Sequence, residues 1–408
     1  SGMYAMLAGM IETGSHRTRT ALLTASSFTS MLLLGIGVAL IGAAAPAIGL
    51  SAREIGLLQA LQNGGFTVSV VVFGYLADVR SHSRLLIVGC VAMGLGLGLF
   101  YAHPGFLLNA LIMIMIGIGI GVFEAVTDAM LFRLYPLRRS LAISLNHLFV
   151  TLGSLAITVY ILFLHLDWRT STLQTAGLTV LPMLVYLWYS RRPTAGGADA
   201  SEIPNRSTAS ASRTIGRRLG VLVSEPRILN QFVCMVCAYG MQVSAIGLVP
   251  VFLIENRGFS VFAGTMGLVV LVSGIAVGRM FIGYVTREAH ILRNTTLHFV
   301  GAALCLSVVY FVPLGTVVYA VLFCAGLMMS GLLPLIITFA GLTYPEFAGL
   351  AMGAVKTGIP VGGIVIPLLM SALSGGDAVW PAFLVPTFAG LTGIVLLLAQ
   401  RHRTTAAA

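Results

Sequence analysis

Long apolar stretches separated by short polar segments run along almost the whole chain. Each stretch has about 20 residues or more, the length that an α-helix needs to cross a hydrocarbon layer ~30 Å thick. The pattern therefore predicts an all-α integral membrane protein with twelve transmembrane helices. The predicted spans cover residues 20–45, 55–78, 85–103, 107–132, 140–164, 170–190, 227–253, 260–286, 294–313, 316–342, 348–373 and 379–400.

One long polar segment divides these spans into two groups of six. Residues 191–226 are rich in Ala, Ser, Thr, Gly and Arg, a composition typical of a flexible linker. The prediction is two six-helix bundles, at residues 20–190 and 227–400, with polar tails at residues 1–19 and 401–408.

The two halves share a weak internal repeat. A shift of 209 residues places Gly153 on Gly362 and His147 on Lys356. The same shift superimposes a Gly-Tyr and a Tyr-Pro dipeptide of the first half on those of the second. Parallel six-helix repeats with a site between them are a common transporter design, so the repeat favours two pseudo-symmetric bundles.

The positive charges predict the orientation of the chain. Of the 23 Lys and Arg residues, 18 fall in the tails and the even-numbered gaps, and Arg53, Arg169 and Arg257 fall in the opposite gaps. Lys and Arg are retained on the cytoplasmic side, so both termini are predicted to be cytoplasmic. The net charge of +10 is then a topology signal and an attraction to anionic lipid, and nucleic-acid binding has no separate support.

Ionisable side chains within the predicted spans are few, and each costs roughly 3 kcal/mol at the centre of a membrane. Glu124 and Asp128 lie in span four, His147 in span five, Arg279 in span eight, and Lys356, the only lysine, in span eleven. The two carboxylates are four residues apart and share one helix face, which must point into the bundle. Acids in one half and bases in the other predict a polar site between the halves.

The segment GYLADVRSHSR between spans two and three resembles the signature loop of the major facilitator superfamily. It keeps the glycine, the leucine, the aspartate and two of the basic residues of that signature, and departs from it at Val79 and Ser81. The resemblance extends over the whole chain as twelve spans in two halves and implies a secondary transporter. It also implies that Asp78, with Arg80 and Arg84, helps to hold the cytoplasmic gate.

Two motifs of the second half, GRMFIGY and GAVKTG, resemble spans eight and eleven of the oxalate/formate antiporters, and related monocarboxylate transporters also use a span-eight arginine. This resemblance implies that Arg279 and Lys356 bind the carboxylates of a substrate. A guanidinium can bind a carboxylate through two hydrogen bonds, and an ammonium adds a second charged donor. The acid pair in FEAVTDAM, with Asn146 and His147 following, is instead similar to proton-coupled sugar and metabolite symporters.

The leading hypothesis is a proton-coupled carrier of a small organic anion that works by alternating access. Arg279 and Lys356 would hold the substrate. Glu124, Asp128 and His147 would carry the coupling proton, because crowded carboxylates do not both ionise easily. Polar residues of spans five, seven and ten are weaker candidates for the same cavity: Asn146, Tyr239, Gln242 and Ser330.

Several alternatives remain open. The opposite charges could pair across the cavity as a gate, and Arg279 could extend to the cytoplasmic surface. An acid pair opposite a base pair also suits a zwitterion, such as an amino acid derivative or a metal-chelating metabolite. A neutral sugar carrier or a drug and metabolite exporter would use the charges as proton site and gate, and a receptor or scaffold could use the same fold.

The sequence does not favour an enzyme or a pump driven by ATP. The phosphate-binding pattern GxxxxGK[ST] is absent. The five cysteines all fall in predicted spans, and the CxxC pair Cys234 and Cys237 has no histidine or second pair nearby. No cofactor or metal is predicted. The expected partners are a small-molecule substrate, protons and the lipid bilayer, with a monomeric chain in a bacterial inner membrane.

Overall fold

The structure is a computed structural model of the 408-residue chain. It describes residues 2–135, 139–163, 168–191, 225–285, 290–344, 348–374 and 380–405. Over these ranges the chain is helical and contains no β-strand. The α-helices are α1 (Gly2–Ile48), α2 (Ala52–Val79), α3 (His82–Leu99), α4 (Phe106–Leu134), α5 (Arg139–Phe163), α6 (Trp168–Leu178), α7 (Val180–Ser190), α8 (Pro226–Glu255), α9 (Val261–Val285), α10 (Ile291–Phe311), α11 (Val318–Thr343), α12 (Ala348–Lys356), α13 (Gly358–Leu373) and α14 (Leu384–Thr405).

The described residues contain ten helical segments that are long and apolar enough to cross a membrane, and a shorter apolar helix at Leu384–Gln400. The sixth predicted span is instead built from α6 and α7, of 11 residues each. Pro182 has no N–H to donate to the carbonyl of Leu178, and the helix is interrupted between them at Thr179. This is the all-α membrane fold of two six-helix bundles that the sequence predicts.

The terminal helices extend beyond the predicted spans. The predicted polar tail at residues 1–19 is helical from Gly2 onward and continuous with the first span, and the apolar, membrane-crossing part of α1 begins at Thr18. At the other end α14 continues to Thr405, past the predicted limit at residue 400. Most of the predicted linker at residues 191–226 lies outside the described residues.

Glycines bring helix backbones into close contact within each half. A Cβ added at Gly153 of α5 would overlap the carbonyl oxygen of Leu32 in α1. A Cβ added at Gly362 of α13 would overlap the carbonyl oxygen of Val236 in α8. Because the 209-residue repeat relates Gly153 to Gly362, the same helix contact occurs once in each half.

The two halves meet most closely at the end of the bundle opposite the termini. There the Nε2 of Gln59 in α2 donates to the carbonyl oxygen of Val243 in α8 at 2.9 Å. The Oγ of Ser371 in α13 donates to the carbonyl oxygen of Arg53 at 2.9 Å. Gly56 packs against α13 beside Ser371. These contacts hold that end of the bundle closed.

Two of the basic residues predicted on the side opposite the main positive charge bind the ends of helices. Arg169 donates to the carbonyl oxygens of Gly98, at 2.7 Å, and of Phe100 at the end of α3. Arg257 donates to the carbonyl oxygen of Tyr310 at the end of α10, at 2.8 Å. The last carbonyls of a helix lack partners in the helix and carry partial negative charge, so these arginines stabilise the fold where they lie.

Candidate functional site

The three predicted proton-site residues lie together. Glu124 and Asp128 are one turn apart on α4, and His147 faces them from α5. The Nε2 of His147 lies 3.0 Å from Oδ2 of Asp128 and 3.9 Å from Oε1 of Glu124. Their side chains are 32% exposed for His147, 20% for Glu124 and 19% for Asp128, so the cluster borders an accessible space.

Asn146 orients this cluster from behind. Its side chain is fully buried, and its Nδ2 donates to Oδ1 of Asp128 at 3.0 Å and to Oγ1 of Thr127 at 2.9 Å. Its Oδ1 accepts from Oγ of Ser27 on α1 at 3.1 Å. Both amide hydrogens are therefore used within the protein. Asn146 thus holds Asp128 in position, and its contact with a substrate stays a prediction.

Arg279 and Lys356 reach the same region from the second half. The Nη1 of Arg279 on α9 donates to Oγ1 of Thr151 on α5 at 2.7 Å, which joins the two halves. Lys356 interacts electrostatically with Asp128 and His147, and Arg279 with Glu124.

No ion pair joins these opposite charges. Within the part of the chain that the structure describes, no carboxylate oxygen lies within 4.0 Å of a nitrogen of Arg279 or Lys356. The acids and bases therefore face each other from opposite halves at more than contact distance.

The helix is interrupted directly after Lys356. Lys356 ends α12, Thr357 forms a turn, and α13 begins at Gly358. Pro360 has no N–H for the carbonyl of Lys356, four residues earlier. Interrupted spans that leave backbone groups without helical partners are where transporters often bind their substrates. The break thus places a charged side chain and a backbone carbonyl at one point.

The weaker candidates divide into two groups. Tyr239 of α8 lies near both Glu124 and Arg279. Gln242 is buried one turn further along α8, and its Oε1 has no hydrogen-bond partner among the described residues. Ser330 donates to the carbonyl oxygen of Leu327 at 2.7 Å in its own helix and packs against Gly278. Its contacts are those of helix packing.

The predicted gate lies at the end of the bundle that holds the termini. Arg80 caps the end of α2 and is exposed, and Arg84 is exposed on the first turn of α3. The side chain of Asp78 lies outside the described residues. Asp78, Arg80 and Arg84 are thus close in sequence at this end, and the contacts between their side chains stay a prediction.

Two pseudo-symmetric helical bundles with charged side chains from both halves near one point define a secondary transporter. The chain belongs to the Major Facilitator Superfamily, whose family model matches residues 22–346, and the membership predicted from the loop signature is confirmed. No curated protein matches the chain.

Solved transporter structures share the fold. A variant of the nucleoside transporter NupG is 14% identical, with a TM-score of 0.74 over 93% of this chain and 98% of that chain. The D-xylose–proton symporter is 13% identical, with a TM-score of 0.72 over 92% of this chain and 96% of that chain. A bacterial homologue of the human lysosomal transporter Spinster, inward-facing and unoccupied, is 14% identical, with a TM-score of 0.68 over 94% and 95%. At these identities the likeness concerns the fold alone.

Proposed function

We propose that this transporter carries a small organic anion and couples its movement to protons. An anionic substrate is supported by the surroundings of Arg279 and Lys356. Neither side chain has a carboxylate within 4.0 Å among the described residues. A cation at the centre of a membrane costs roughly 3 kcal/mol. A negatively charged ligand between the two side chains offsets that cost directly.

The cluster opposite the cations is suited to hold the coupling proton. His147 and Asp128 share a hydrogen bond of 3.0 Å, with Glu124 next to it. Two ionised carboxylates balance the charges of Arg279 and Lys356, so an arriving anion adds one uncompensated negative charge. A proton on the cluster removes it. Each ligand then favours binding of the other, and the coupling is reciprocal.

A zwitterion is the second candidate substrate. The gap between the acidic and basic groups would let an ammonium bind Glu124 or Asp128 while a carboxylate binds Arg279. The absence of ion pairs across the site, over the described residues, supports a zwitterion as well. The two candidates differ in whether the ligand itself carries the positive charge, so they predict different ligands and different coupling.

The proposed setting is a bacterial inner membrane, with both termini in the cytoplasm and the chain acting as a monomer. The charge distribution along the sequence supports this orientation. In this orientation the contacts between Gln59 and Val243 close the outer end, and the loop with Asp78, Arg80 and Arg84 lies at the cytoplasmic gate.

The first experiment is thermal unfolding of the purified protein with small carboxylates, zwitterionic amino acids, neutral sugars and cationic drugs. A ligand at 100 times its Kd adds about 2.7 kcal/mol to the stability of the folded state. We expect carboxylates to stabilise the wild type and the control Thr357→Ala, which keeps the charged side chain of the neighbouring Lys356. We expect Arg279→Ala and Lys356→Ala to lose this effect. Equal stabilisation of all four proteins by a sugar or a drug would exclude the anion site.

Coupling is tested by adding a stabilising anion outside proteoliposomes that contain the purified protein and measuring its uptake. We expect uptake driven by a proton gradient in the wild type, and uptake that no longer responds to the gradient in Asp128→Asn. Wild-type uptake that is indifferent to the gradient would remove proton coupling from the proposal and leave anion binding intact.

A further inference from the structure

We propose that Glu124, Asp128 and His147 form a binding site for a divalent first-row transition-metal ion. Each residue offers one ligand atom, and all of these atoms lie within 4.8 Å of one another. The three side chains are partly exposed, so an ion has access to them. The inference goes beyond the proposed function, because it gives the acidic half of the site a cation other than the proton.

The distances suit a metal of this size. Zinc binds histidine nitrogen at about 2.0–2.1 Å and carboxylate oxygen at about 2.0–2.2 Å, which places neighbouring ligand atoms roughly 3–3.5 Å apart. Nε2 of His147 and Oδ2 of Asp128 are already 3.0 Å apart. Oε1 of Glu124 lies 3.9 Å from the same nitrogen, and the three ligand atoms lie within 4.8 Å of one another, so a rotation of the Glu124 side chain toward His147 and Asp128 is needed to complete the set.

The donor set also restricts the metal. One imidazole nitrogen with carboxylate oxygens suits zinc, iron, cobalt, nickel and copper. Magnesium needs near-ideal octahedral oxygen coordination and gives up its water reluctantly. The ligand nitrogen of His147 therefore favours a transition metal over magnesium.

Asn146 supports this geometry from the second layer of the site. Its amide binds Oδ1 of Asp128 at 3.0 Å, which leaves Oδ2 turned toward His147. Groups that hold a ligand in this way typically contribute ten- to a hundredfold to metal affinity.

The charge of Lys356 opposes the metal without cancelling the site. Two carboxylates supply two negative charges at the site itself, whereas the two positive charges of Lys356 and Arg279 lie more than 4.0 Å from the carboxylate oxygens. Replacing Lys356 should therefore strengthen metal binding, although it should weaken anion binding. This opposite response separates a metal site from a general loss of structure.

The test is titration of the purified, metal-stripped full chain with Co²⁺, followed by calorimetry and by the visible absorption of bound cobalt. We expect one Co²⁺ per chain, displaced by Zn²⁺ and not by Mg²⁺. His147→Ala should abolish the absorption, Asn146→Ala should weaken binding about tenfold, and Lys356→Gln should tighten it several-fold. The control His103→Ala removes an exposed loop histidine and should leave binding unchanged.

The proposal is overturned if Co²⁺ does not bind the wild type, or if it binds His147→Ala as tightly as His103→Ala. Should His147→Ala fail to fold, Asp128→Asn, which has nearly the same shape, must still show the loss. Anion binding is measured separately on metal-free protein. Absence of cobalt binding with anion stabilisation intact rejects the metal site alone, whereas cobalt binding without any anion effect rejects the organic-anion proposal alone.

Discussion

Two hydrogen bonds hold the halves together at the end opposite the termini, and removing them should open that end. Gln59 donates to the carbonyl of Val243, and Ser371 donates to the carbonyl of Arg53, both at 2.9 Å. Each bond crosses from one half to the other. We predict that the double variant Gln59→Ala/Ser371→Ala shifts the protein away from the conformation described here.

The size of the shift follows from these contacts. A typical intramolecular hydrogen bond contributes about 1 kcal/mol net, so the two together contribute about 2 kcal/mol, or roughly 30-fold in the equilibrium between conformations. Each single variant should shift it about fivefold. Oε1 of Gln59 has no partner among the described residues. Its removal relieves a buried unpaired acceptor, so the Gln59→Ala effect should be the smaller one.

The assay is the distance between two spin labels at that end, measured by double electron–electron resonance. Exposed positions Ala102, after α3, and Asn256, after α8, report on opposite halves. Cys305 and Cys324 are partly or fully exposed and must first be replaced to avoid background labelling. We expect a second, longer distance to gain population in the double variant.

Two neighbouring side chains provide matched controls. Gln62 donates to the carbonyl of Gly37 at 2.8 Å within the first half, and Ser374 donates to the carbonyl of Met370 at 2.6 Å within its own helix. Gln62→Ala and Ser374→Ala remove equivalent groups without touching the other half. The prediction is wrong if these controls lengthen the distance as much as the double variant does, or if the double variant leaves the distance distribution unchanged.

Three further variants test other contacts. Arg257→Ala should lower the free energy of unfolding by about 1.5–3 kcal/mol, the value of hydrogen bonds from a charged group, seen as a lower Tm than that of Arg257→Lys. Gly153→Ala should lower the Tm because its Cβ overlaps a carbonyl of α1, whereas Gly177→Ala, which meets nothing within 4 Å, should not. Thr151→Val should strengthen carboxylate binding about fivefold, because it removes the acceptor that competes with the ligand for the Arg279 guanidinium, with Thr151→Ser unchanged; equal Kd values for both would contradict this.

The spans could be predicted from the sequence because a membrane requires long apolar helices with all backbone groups paired. Which prolines interrupt a span could not be predicted from the sequence. Pro182 and Pro360 each lie three residues after a break, at Thr179 and Thr357, whereas Pro250 lies inside the continuous helix α8. Whether a proline breaks a helix depends on the neighbouring helices that compensate the lost hydrogen bond, and a single sequence does not contain that information.

The charged residues of the site were also predictable, because ionisable groups within apolar spans are few and costly. The hydrogen-bond partners of these residues could not be predicted. Thr151 beside Arg279, and Ser27 beside Asn146, are common polar residues that can also bind the backbone of their own helix. Thr127 does both: its hydroxyl donates to a carbonyl one turn earlier and accepts from Asn146. Only the register between helices selects these contacts.

The contact between Arg279 and Thr151 bears on how a ligand could move the two halves. A ligand shifts a conformational equilibrium only by its difference in affinity for the two states. The guanidinium has five N–H donors, and Thr151, on the opposite half, accepts one of them at 2.7 Å. Any motion that separates α5 from α9 removes this acceptor and leaves the donor to be filled by a carboxylate. An anion therefore binds Arg279 more tightly in the conformation that has lost the contact with Thr151. This is the difference in affinity that a ligand needs in order to shift the conformational equilibrium.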